Sequence, residues 1–121
     1  MKNILIVLAG GGVGSITRFL MQKWSYSLIP HPFPFGTLTV NILGCFLIGI
    51  FYALAERQNM LSPEMRLLLI TGYCGGFTTF SSFALENLNL MKSGYIVYAA
   101  TYTAASVFLG ILATWLGTRI L

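Results

Sequence analysis

Four apolar stretches divide the sequence, at residues 4–21, 36–55, 64–91 and 95–119. Each is close to the ~20 residues that a helix needs to cross ~30 Å of hydrocarbon. Only short connections separate them. The first, W-S-Y-S-L-I-P-H-P-F-P-F-G from Trp24, holds three prolines and cannot continue as a helix. Its Trp24 and Tyr26 suit the headgroup boundary. The second, E-R-Q-N-M-L-S-P-E-M-R, places Ser62 to cap the third stretch and Pro63 at its first helical position. A brief K-S-G turn precedes the fourth. The expected fold is an all-α membrane protein, one four-helix transmembrane domain over residues 1–121.

Composition agrees. Of 121 residues, 56% are hydrophobic and 8% charged, where soluble domains carry roughly a quarter charged. Asp is absent and Glu occurs only at positions 56, 64 and 86. The net charge of +4 reflects that shortage of acid, because Lys and Arg are scattered singly. The charge-cluster footprint of a nucleic-acid binder is missing, which argues against a nucleic-acid partner. Cys45 and Cys74 lie inside apolar segments without zinc spacing and are read as packing residues. The opening M-K-N-I-L-I-V-L-A has the charge and apolar core of a signal peptide but no small-x-small site, so it is read as a retained first helix. An enzyme is disfavoured: the sole His31 lies between prolines with no evident acid or nucleophile partner.

The glycine-rich G-G-G-V-G-S-I-T fails as a dinucleotide-binding turn, since Ser15 or Thr17 falls where the third glycine belongs. Gly10-x-x-x-Gly14 instead marks a face that another helix can approach closely. With four crossings, Lys2, Arg57, Arg66 and Arg119 share one side of the membrane, and Arg18, Lys23 and Lys92 the other. Four against three is hardly a bias, so the chain is expected to insert both ways round and form an antiparallel pair. A four-helix bundle fills its own centre, which favours a conduction route between subunits.

Polar residues inside the apolar stretches are the candidates for function. Thr37 and Asn41 share a face of the second helix, and Tyr102, Ser106, Gly110 and Thr114 form a stripe on the fourth. Lone hydroxyls can satisfy themselves on the preceding turn. Asn41 needs a partner, either as glue between helices or as a donor to a permeating species. The third stretch carries G-Y-C-G-G-F-T-T-F-S-S-F, residues 72–83. Phe77, Phe80 and Phe83 recur about one turn apart, and a ring edge is the positive end of its quadrupole. Such an edge attracts an anion weakly, as conduction requires. Gly75-Gly76 before Thr78-Thr79 is read as a helix break, tolerated only where water, a hydroxyl or a cation satisfies the freed carbonyls. Arg18 and Glu86 are ionisable groups close to the hydrocarbon, each a functional candidate or an interfacial residue.

These motifs resemble those of the Fluc (CrcB) family of small fluoride channels. The matches are G-G-G-V-G-S-I-T-R-F on helix one, G-T-L-T-V-N-I-L-G-C-F on helix two and G-Y-C-G-G-F-T-T-F-S-S-F on helix three, in the family's order. The resemblance implies a dual-topology antiparallel homodimer in the cell membrane, with two pathways that let fluoride leave passively. It also implies a structural sodium ion on the dimer axis, held by the backbone carbonyls of Gly75 and Thr78 from each subunit. Phe80 and Phe83 would line the pathways, Asn41 would donate to fluoride, and Tyr102, Ser106 and Thr114 would form a polar track. Arg18 would sit at the vestibule and Glu86 near a pore end. Gly110 interrupts the track's hydroxyls. The rival reading is a small dual-topology proton-coupled multidrug exporter, which needs a deep carboxylate. Helix one has none, and Glu86 lies near an end.

Overall fold

The computed structural model describes residues 1–120. They form four spans and, among the described residues, no strand. Helix α1 covers Lys2–Leu28 and α2 covers Phe35–Glu56. The third span is composite: α3 (Pro63–Arg66), a π-helical segment (Leu67–Cys74), α4 (Gly75–Phe77) and α5 (Phe80–Lys92). Helix α6 covers Ile96–Arg119.

Three local expectations are met. The Ser62 side chain accepts from the Met65 N–H at 3.2 Å, with Pro63 in the first turn. Gly10 and Gly14 are buried against the third span, where a Cβ on Gly10 would strike the Leu68 carbonyl and one on Gly14 the Tyr73 carbonyl. Ion pairs Lys2–Glu64 (3.4 Å) and Arg66–Glu56 (2.8 Å) join the N-terminus and the second connection on one side of the bundle.

One connection differs. Residues 22–28 extend α1 by about two turns beyond Met21, taking in the first five residues of the expected loop (24–28), and the link to α2 is only residues 29–34. Proline restricts the residue before it and blocks helix beyond it. The first proline is Pro30, so nothing obliges the helix to stop at Trp24.

The break in the third span lets its halves choose different neighbours. The first half packs on α1 and the second on α6, while α2 packs most extensively on α6. Small residues make the α2–α6 crossing close, since Gly49 and Gly117 lie against each other's backbone. The side chains that face outward are apolar, among them Ile4, Leu8, Phe19, Val97 and Phe108, each more than half exposed. Four spans with apolar exteriors make this a multi-pass membrane protein.

Candidate functional site

Every backbone group freed inside a membrane needs a partner, so the interruption of the third span is a bookkeeping problem in hydrogen bonds. The break is not at the glycines. Gly75 is helical (φ −62°, ψ −39°), whereas Thr78 (φ −85°, ψ 159°) and Thr79 (φ −150°, ψ 122°) are extended. Gly76 serves packing instead: a Cβ there would strike the Gly11 carbonyl. The preceding segment also winds wide, with the Gly75 N–H reaching the Ile70 carbonyl. A π-helical turn of this kind is often found at functional sites.

Side chains then answer part of the freed backbone. Asn41 donates through Nδ2 to the Thr79 carbonyl (3.0 Å) and accepts from the Thr79 N–H (2.8 Å). The Thr79 hydroxyl caps α5 by accepting from the Ser82 N–H at 3.2 Å. Arg18 Nε donates to the Gly76 carbonyl at 3.1 Å. The Thr78 hydroxyl turns back to the Cys74 carbonyl at 2.9 Å. No hydrogen bond among the described residues reaches the carbonyls of Gly75, Phe77 or Thr78. Of these three residues, Gly75 and Thr78 line an apolar groove of about 450 Å³ and Phe77 does not.

The same groove takes in Asn41, Phe80, Phe83 and Ser106. Phe80 is 79% exposed and its ring stands 5.5 Å from that of Phe83. Phe83 in turn lies 5.0 Å from Tyr102, which is fully buried. The Ser106 Oγ is buried without a hydrogen-bond partner among the described residues. A buried hydroxyl in that state is costly, and Ser106 is one of the residues that line the groove.

A second polar group lies toward the connection at residues 29–34. Glu86 accepts at Oε2 from the Thr37 hydroxyl (3.0 Å) and at Oε1 from the Tyr102 hydroxyl (3.2 Å). Gln22 Nε2 donates to the Thr37 oxygen at 2.9 Å. Gln22, Thr37 and Glu86 line a pocket of about 570 Å³ that opens beneath His31 and Phe33.

Comparison with known proteins is consistent across the chain. The family model described as "CrcB-like protein, Camphor Resistance (CrcB)" matches residues 5–118. The chain belongs to the CrcB family. A relative from Phocaeicola vulgatus, named fluoride-specific ion channel FluC, is 49% identical over 97% of this chain and 96% of its own. Relatives of the same name from Flavobacterium psychrophilum (97% and 94% covered) and Rhizobium etli (100% and 97%) are each 46% identical.

Within this CrcB chain, the residues singled out by sequence fall into four places. Asn41, Phe80, Phe83 and Ser106 meet at the groove together with Gly75 and Thr78. Tyr102 bridges from Phe83 to Glu86, joining the groove to the pocket. Thr114 is apart from both, its hydroxyl spent on the Gly110 carbonyl at 3.0 Å. Arg18 meets no carboxylate among the described residues; its Nε is engaged at the break. Sequence reading misses Gln22, because the apolar run ends at Met21 and the loop begins at Trp24, and it misses the engagement of Thr79 with Asn41. The only cue to the latter was an amide in need of a partner.

Proposed function

We propose that this protein is a fluoride-selective channel of the cell membrane, passing fluoride passively outward and so lowering its cytoplasmic concentration. Membership in a family whose relatives are named fluoride-specific ion channels carries the reading. The geometry gives it a physical form. A small, strongly hydrated anion needs donors to replace water, with no site strong enough to hold it. The groove offers the Ser106 hydroxyl and the ring edges of Phe80 and Phe83, without a Lys or Arg among its lining residues. The exporter reading gains no support: α1 carries no carboxylate, and both Glu86 oxygens are engaged by donors.

The working unit in this reading is an antiparallel homodimer. Phe80 and Gly75 are exposed on a single protomer at hydrocarbon depth, and a second copy across the groove would enclose them. The carbonyls of Gly75 and Thr78 suit a hard cation, which takes oxygen ligands, and a second protomer would double them. Sodium bound there would supply a fixed positive potential near the groove. The neighbouring residues keep the cradle in shape: Asn41 pins Thr79, Arg18 pins Gly76, and Gly44 leaves space for the Thr78 methyl.

Anion efflux from liposomes containing the purified protein tests the function. Fluoride release without chloride release is the expected result. Uptake of a cationic dye driven by a pH gradient, without fluoride release, would overturn it.

A further inference from the structure

Thr37 has one hydroxyl proton and stands between two polar side chains. Its oxygen lies 2.9 Å from the Gln22 amide and 3.0 Å from Glu86 Oε2. Glu86 already accepts from Tyr102 on its other oxygen, so the carboxylate uses both as acceptors. Thr37 therefore gives its proton to Glu86, and its oxygen must accept from residue 22. Only the –NH₂ end of Gln22 fits. With Glu86 ionised, this pattern fixes which way the amide points.

The fold delivers Gln22 to that place through the extra turns of α1. A Cβ on Gly36 would lie 3.4 Å from both Gln22 Cα and Ser25 Cβ, so the glycine lets α1 lie directly against the start of α2. Thr37 is the next residue and is 2% exposed. The result is a one-way series of donors, Gln22 to Thr37 to Glu86, with Tyr102 closing on Glu86 from α6.

We propose that Gln22 is a positioning residue of the conduction pathway: it fixes the donor direction of Thr37, so that Glu86 stays saturated and Tyr102 stays beside Phe83. The inference rests on the channel reading above. An unsaturated carboxylate next to the pathway would repel an anion, and a Tyr102 without its acceptor would lose its register against the Phe83 ring. Gln22 touches neither ring; it acts through Thr37.

Gln22→Glu tests the direction. The introduced carboxylate accepts where Gln22 donated, and Thr37 cannot serve two carboxylates with one proton. Fluoride efflux should fall on the order of tenfold relative to wild type at about pH 8, the scale of a lost hydrogen bond to a charged group. It should recover as pH falls to about 4, through the ordinary Glu range, because a protonated carboxyl can donate again. The other titratable groups on this pocket are Tyr26 on α1, His31 in the connection, Glu86 on α5 and Tyr95 before α6. Each measurement is therefore the ratio of variant to wild type at the same pH, after subtraction of leak from protein-free liposomes. Gln22→Met, similar in size and without a donor, should lose roughly threefold at every pH. A ratio for Gln22→Glu that does not change with pH overturns the proposal, as does full efflux by Gln22→Met. Absence of fluoride efflux by the wild type would instead overturn the channel reading itself.

Discussion

Asn41 and Phe80 differ in what each contributes to the protomer at the proposed pathway. Phe80 is 79% exposed in the protomer, so its ring contributes little to the protomer's own packing. Phe80→Ile should leave protomer stability within about 0.5 kcal/mol while abolishing fluoride efflux, with thermal unfolding in detergent and liposome efflux as the paired measurements. Asn41 is the opposite case, because its amide both gives to and takes from the Thr79 backbone. Asn41→Asp keeps the acceptor and loses the donor, leaving the Thr79 carbonyl against a carboxylate. It should cost about 2 kcal/mol of stability and abolish efflux as well. An efflux defect without a stability defect would show that Asn41 serves the anion and not the break. Part of this was legible from the chain: a lone amide in an apolar helix demands a partner. Its partner was not, because Thr79 lies 38 residues away and becomes available only after the third span unwinds.

At the level of elements, the third span shows where spacing misleads. A glycine pair beside a threonine pair is a sound sign of a helix break, but it does not say which pair unwinds. Gly75 and Gly76 stay helical, and close packing on α1 accounts for Gly76. The π-helical turn gave no sequence signal, since Leu67–Cys74 is apolar throughout apart from Thr71 and Tyr73. The extension of α1 escapes sequence reading for a related reason: three prolines mark a loop without saying where it starts, and the helix stops only near Pro30. The two glycines separate by substitution. Gly76→Ala drives a methyl into the Gly11 carbonyl and should cost about 1–3 kcal/mol. Gly75→Ala meets nothing nearer than the Ile70 carbonyl at 4.0 Å and should leave protomer stability nearly unchanged. Unfolding of both variants in parallel checks the contrast, and equal losses would mean that flexibility, not space, is what the pair provides.

At the scale of the whole molecule, the proposed pairing of two copies is open to test. Four spans were legible from hydropathy alone, because each connection is marked by Pro, Gly or charge; which outer face is covered was not, because lipid and a second copy suit the same apolar surface. Charge balance offers the handle. Both termini and the second connection share a side carrying four Lys and Arg, against three on the other. Gln58→Arg with Met60→Arg, both at exposed positions in the second connection, shifts the count to six against three and should hold that side in the cytoplasm. Arg57→Gln with Ser27→Arg and Leu28→Arg makes it three against five and should invert the chain. In cells that lack another fluoride channel, an antiparallel pair predicts that neither variant alone protects against fluoride and that the two together do. Protection by either variant alone would show that copies pointing the same way suffice. Failure of the pair, with both proteins inserted in opposite orientations, would show that orientation is not what the charges limit.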